Sequence, residues 1–179
     1  MILADQRYDD RMLFENAYDL LSGVWLGSYD AYALAKGIGY PMFLVLAKKL
    51  CLPYSVLLAL LQAVGAWLFV RALSVRWKNP YGQTLLYLLL LFSPISLTQL
   101  VTQRLYRMAI VPGMVLVVFS GMIGLTLRKE LPLKKQLPWA VLTGMALAFF
   151  WQIREDSVWI LPFIAVMTVW NVGYVILAL

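Results

Sequence analysis

The chain has 179 residues, of which 63% are hydrophobic and 13% charged, with a mean hydropathy of +0.79. A soluble domain carries about 25% charged residues and about half apolar ones, so the excess points to a membrane. The lack of histidine and the single cysteine, Cys51, exclude serine–histidine catalysis, histidine-ligated zinc and a disulfide within the chain, which leaves a carboxylate, a lysine or a tyrosine as any general base.

The net charge of +6 is spread over short loops between apolar runs. That pattern orients helices in a bilayer, so membrane lipid is the expected partner and nucleic acid is not.

Residues 1–53 form the more polar part and read as an external loop with amphipathic and interfacial helices. Residues 1–39 hold six of the nine acidic groups. Leu13, Ala17, Leu20, Leu21 and Val24 recur at helical spacing, which predicts an amphipathic helix near residues 11–22, interrupted by Gly23 and Gly27. Trp25, Tyr29 and Tyr32 suit a membrane interface, where a ring buries its body and wets its polar edge. Residues 41–51 are apolar apart from Lys48 and Lys49. Such a segment reaches about 17 Å as a helix, short of the roughly 30 Å hydrocarbon core, so it reads as an interfacial helix begun by Pro41.

Residues 54–179 read as a polytopic bundle of five spans, at 54–73, 80–101, 108–127, 137–153 and 158–178. The second is expected to bend at Pro94, and Pro112 and Pro162 fall in the first turns of the third and fifth. Arg71, Arg76 and Lys78 follow the first span, and Arg128, Lys129, Glu130, Lys134 and Lys135 follow the third. By the excess of positive charge on cytoplasmic loops, these face the cytoplasm. That side then holds seven basic groups and one acid, the other side eight of each. The N-terminal segment, Arg104, Arg107 and Arg154-Glu155-Asp156 fall together on the outer face of a cell membrane. An outer N-terminal loop with no span before it is expected to lack a first helix, and the apolar end at Ala178-Leu179 is read likewise as a truncation.

Several groups at that outer face can carry chemistry. Asp9 and Asp10 are adjacent, so one carboxylate can take a proton from an acceptor hydroxyl while its neighbour orients a partner or binds a cation. Side by side near a low-dielectric surface, at least one should have a raised pKa. The alternative is a helix N-terminus, where the dipole favours acids. Lys36, on the turn Gly37-Ile38-Gly39-Tyr40-Pro41, can hold a phosphate headgroup as a point charge, or simply sit beside anionic lipid. Arg104, Arg107 and Arg154 can clamp a phosphate or pair with the acids, or else snorkel and pair with Glu155 or Asp156. Gln62, Gln99 and Gln152 read as interhelical hydrogen-bonding groups, and Gly121, Gly124 and Gly144 as points of close packing. Residues 85–91 read as an apolar core run, and most Trp and Tyr residues as interfacial belts.

At these residues the chain resembles a known family. Tyr8-Asp9-Asp10, Gly23-Val24-Trp25-Leu26-Gly27 and Lys36-Gly37-Ile38-Gly39-Tyr40-Pro41-Met42-Phe43-Leu44 resemble the first external loop of GT-C fold glycosyltransferases. The branch concerned uses polyprenyl-phosphate sugars and includes protein mannosyltransferases and aminoarabinose transferases. Arg104-Leu105-Tyr106-Arg107 and Arg154-Glu155-Asp156-Ser157-Val158-Trp159 look like its bacterial members. The resemblance implies an all-α transmembrane enzyme of the cell envelope. It assigns Asp9 as catalytic carboxylate, Asp10 as its acidic neighbour and Lys36 as the lysine near the donor phosphate, with Arg154, Glu155, Arg107 and Tyr40 as further substrate-binding candidates. No cofactor is required, although a divalent cation, Mg or Mn, could be held by Asp9 and Asp10. Against the family pattern no double proline follows the lysine, and a missing first helix and a missing external C-terminal domain are expected departures. The rival readings are a non-catalytic membrane scaffold, and a transporter or flippase fragment gated by the outer charges.

Overall fold

The computed structural model describes residues 9–25, 37–96, 107–153 and 157–177. The side chains of residues 9, 10 and 171–177 fall outside that description. Helices, with no strand, make up the regular structure of the described residues.

Helix α1 covers Asp9–Leu21 and buries Leu13, Asn16 and Ala17, while Phe14 and Tyr18 face outward. It ends where Gly23 turns to φ +80° and the Val24 N–H donates back to the Asp19 carbonyl at 3.0 Å. A left-handed residue closes a helix this way, and glycine adopts that conformation at the least steric cost. Helix α2, Gly39–Lys49, carries Pro41 at its third position and buries Tyr40, Phe43 and Ala47 on one face. Cys51, at φ +52°, reverses the chain, with the Leu52 N–H on the Ala47 carbonyl at 3.0 Å.

Helix α3 then runs over Tyr54–Leu73 with the bounds expected from sequence. Its 20 residues rise about 30 Å, the thickness of a hydrocarbon core. The turn that follows is capped by Asn79, whose Oδ1 accepts from the Tyr81 N–H at 3.1 Å, and Pro80 opens helix α4, Pro80–Leu91. The second expected span is cut short here. Helix α4 stops at Leu91, ahead of Pro94, which lacks the N–H a continuing helix needs; a short 3-10 turn at Pro94–Ser96 follows. The remainder of that expected span, 97–101, lies outside the described residues.

A 3-10 turn at Arg107–Ile110 leads into helix α5, Val111–Thr126, and helix α6 covers Leu133–Ile153. Helix α6 starts four residues earlier than its sequence expectation, so Lys134 and Lys135 belong to its first turn instead of a loop. A 3-10 turn at Ser157–Ile160 precedes helix α7, Leu161–Leu177.

Helices α3 and α5 form the centre of the packing. A Cβ on Gly65 would lie 2.9 Å from the Gly113 carbonyl, and one on Gly113 would lie 2.8 Å from Leu61, so the two backbones meet where neither has a side chain. The pair is parallel, because Gly113 faces Leu61 near the start of α3 while Arg128, just past α5, reaches carbonyls at its end. Helix α6 runs antiparallel against α5, with Gly121 on Thr143 and Gly124 beneath the Trp139 ring. Helix α7 packs beside α5 through the edge-to-face pair Phe119–Phe163, with centroids 5.4 Å apart. The Gln62 amide donates to the Leu90 carbonyl at 2.7 Å and joins α3 to α4, the interhelical bond expected of it.

Among the described residues two stretches are long and apolar enough to cross a membrane, Tyr54–Leu73 and Arg107–Thr126. Only 39% of the first is buried within the molecule, and Leu60, Val64 and Trp67 point outward from it. Helix α4 buries no residue at all, which overturns the expectation of a core run at 85–91: Leu85, Leu88 and Leu89 are exposed. Apolar helices that turn this much hydrocarbon outward suit a lipid surround. Gly144 also departs from expectation, since a Cβ there would meet nothing within 4 Å.

Candidate functional site

Three described features meet at the end of the bundle where α3 and α5 begin and α6 ends. The first is the Gly37–Gly39 turn. A Cβ on Gly37 would strike the Gln152 carbonyl oxygen, and one on Gly39 would lie 2.9 Å from the Gln152 carbonyl carbon. The glycines therefore lay the entry to α2 directly on the last turn of α6, with Ile153 fully buried beside it. Lys36 is one peptide bond from this contact and Arg154 one bond from Ile153; both residues, with Glu155 and Asp156, lie outside the described residues.

The second feature is a phenol pair. Tyr40, in the first turn of α2, is 1% exposed, and its hydroxyl lies 3.1 Å from that of Tyr54, the first residue of α3. Edge-to-face contacts of the Tyr54 ring with Tyr40 and Phe43, at 6.5 and 6.2 Å, hold both rings. A phenol buried to this degree needs a partner, and the pair supplies one at the junction of the interfacial helix and the first long helix. Tyr40 was a sequence candidate and Tyr54 was not. The signal for Tyr54 was its place after Pro53 at the start of a span.

The third feature is Arg107, half-buried at the start of the 3-10 turn that opens the second long stretch. At the same end, Ser157 is fully buried and its hydroxyl donates to the Phe150 carbonyl at 3.3 Å, which folds the chain back over α6 just after residues 154–156.

Asp9 and Asp10 form the first turn of α1. One turn on, Leu13 is fully buried in the same apolar cluster as Tyr40, Phe43, Ile153 and Ile160. That cluster ties α1 to α2 and through it to the rest of the bundle. The described residues thus bring the chain just after Lys36 against the chain just before Arg154, with Tyr40 and Tyr54 alongside. Contacts among the reactive groups of Asp9, Asp10, Lys36, Arg154 and Glu155 themselves lie outside the description. Among the described residues no three His, Cys, Asp or Glu groups stand close enough to hold a metal.

A crevice of about 250 Å³ lies between α3, α4 and the start of α5. Leu58, Leu61, Leu91, Phe92 and Ala109 give it an apolar lining, with Ser55, Gln62 and Ser96 as its polar groups. The Ser96 hydroxyl is buried without a hydrogen-bond partner.

The opposite end of the bundle holds a group that the sequence reading treated only as an orienting charge. Arg128 is 8% exposed. Its guanidinium donates to the carbonyls of Arg71 at 2.8 Å and of Ala72 and Gly124 at 3.1 Å, and lies 4.3 Å from the Trp139 ring centre. Burial, and then the nearby Arg71 charge, draw its pKa below the ordinary value. A guanidinium remains protonated near neutral pH all the same. It neutralises the open carbonyl ends of α3 and α5 and fastens them to α6.

Comparison with protein-family models, curated proteins and solved structures finds no match to this chain.

Proposed function

We propose that the chain is, or belongs to, a membrane glycosyltransferase that moves a sugar from a polyprenyl-phosphate carrier to a hydroxyl acceptor at the outer face of the cell membrane. The observation that carries this reading is the contact of Gly37 and Gly39 with Gln152. It brings the chain just after Lys36 against the chain just before Arg154, as a site assembled from both requires. In this reading the bundle crosses the bilayer five times, with α1 and α2 lying at the outer interface. Asp9 takes the acceptor proton and Asp10 orients it, while Lys36, with Arg154 and Arg107, stabilises charge on the departing lipid phosphate. Glu155 orients Arg154, and Tyr40 anchors the lysine-bearing turn through Tyr54.

Two further features support the reading. The apolar crevice beside α3 begins at Ser55, at the same end as Tyr40, and suits part of an isoprenoid tail. Arg128 is the only buried charged side chain among the described residues, and it sits at the basic end. A transporter would need ionisable groups within its spans, so this distribution counts against that alternative.

The test uses membranes containing the chain, a labelled polyprenyl-phosphate sugar and a hydroxyl acceptor. Asp9→Asn should lower transfer about 100-fold or more, with unchanged thermal unfolding in detergent. Turnover in Asp9→Asn equal to that of the parent would remove Asp9 from the reaction.

A further inference from the structure

A second groove lies between α1, α2 and α6. Its volume is about 370 Å³, within the range of about 300–1,000 Å³ typical of small-ligand sites. Leu20, Trp25, Met42, Leu46 and Phe149 contribute apolar walls, and among the described residues Lys49 is the only charged side chain in the lining. The rim is open: Trp25 is 70% exposed, and Met42 and Leu46 about half.

The position of that one cation says what the groove takes. Lys49 ends α2 five residues before Tyr54 opens the first long apolar helix. It therefore stands at headgroup level if α3 crosses the bilayer, with hydrocarbon walls beside it. Amphipathic lysines and tryptophans at that depth keep a polar tip in the headgroups and an apolar body against the tails. A cation at the mouth, with no anion among the described lining residues, selects a negatively charged head. We propose that this groove holds one anionic phospholipid of the surrounding bilayer, its acyl chain along Met42, Leu46 and Phe149 and its phosphate on the Lys49 ammonium. The lipid joins the interfacial helices α1 and α2 to α6. This site is separate from the sugar-transfer reading and requires only that the bundle be embedded.

Lys48 is the internal control. It is also exposed and one residue away, yet is absent from the described lining of the groove. The purified protein, equilibrated in detergent with phosphatidylglycerol and phosphatidylcholine, is examined by native mass spectrometry. Phosphatidylglycerol should be retained in preference, and Lys49→Gln should cut its retention about fivefold while Lys48→Gln leaves it unchanged. Leu46→Gln should weaken retention of both lipids. Equal retention of the two lipids by the parent protein, or equal losses in Lys48→Gln and Lys49→Gln, would overturn the proposal, the latter by showing diffuse attraction to the basic helix end. No sugar transfer enters this readout, so its failure leaves the role of Asp9 untouched.

Discussion

At the scale of single residues, Arg128 and the crowded glycines make the most specific contacts between helices. Arg128 satisfies three carbonyls from two helices and covers an indole. Arg128→Ala should therefore destabilise the fold by about 3 kcal/mol, as a lost set of charged hydrogen bonds does, measured by thermal unfolding in detergent. Arg128→Lys should recover less than half of that, because an ammonium cannot span carbonyls on both helices as the planar fork does. The glycines divide by what surrounds them. A Cβ at Gly121 would come within 2.6 Å of the Thr143 hydroxyl, whereas one at Gly144 would meet nothing. Gly121→Ala should lower stability, while Gly144→Ala should raise it by about 0.5–1 kcal/mol through helix propensity alone. Thermal unfolding of the two variants side by side checks both signs. Sequence spacing had grouped Gly144 with the packing glycines, and nothing in spacing could separate them, since the distinction rests on which face of α6 meets α5.

At the scale of elements, punctuation was legible and rotation was not. Gly23 closes α1, Pro53 precedes α3 and Asn79-Pro80 opens α4, each for a backbone reason visible in the residue type, whereas Pro94, expected only to bend a continuing helix, follows the end of α4. The bounds of α3 agree with the sequence reading because local chemistry sets them. The outward placement of α4 was missed. A leucine-rich helix has no polar face to mark its exposed side, so composition alone cannot tell core from lipid contact. The contact of the Gly37–Gly39 turn with α6 is likewise tertiary. Gly37→Ala should push the lysine-bearing turn off Gln152 and, on the proposed mechanism, reduce transfer about 100-fold by misplacement alone. Steady-state transfer by the variant, with α-helix content checked by circular dichroism, measures this. Normal turnover would show that the close contact has no bearing on the reaction.

At the scale of the whole molecule, the helix directions are self-consistent. Helices α3 and α5 run parallel and α6 runs antiparallel to them, so Arg71, Arg128 and Lys129 gather at one end and Tyr40, Arg107 and Ile153 at the other. If that axis crosses the bilayer as proposed, impermeant maleimide should label the exposed Cys51 from outside intact cells. A Cys51→Ser, Lys78→Cys variant should label only after permeabilisation. Labelling of both from the same side would reject the alternating topology and, with it, the placing of the N-terminal acids outside.

The amino-acid sequence determined the helical class, the apolar character, the ends of several helices and the segregation of positive charge, because each follows from composition or from backbone chemistry acting over a few residues. The tertiary structure decided which glycines are crowded, that Arg128 is interior rather than a loop charge, that α4 faces outward, and that the turn after Lys36 rests on the end of α6. Those outcomes depend on how each helix is rotated about its own axis. In helices apolar on nearly every face, hydropathy carries no record of that angle, and only the fit of side chains between neighbours fixes it.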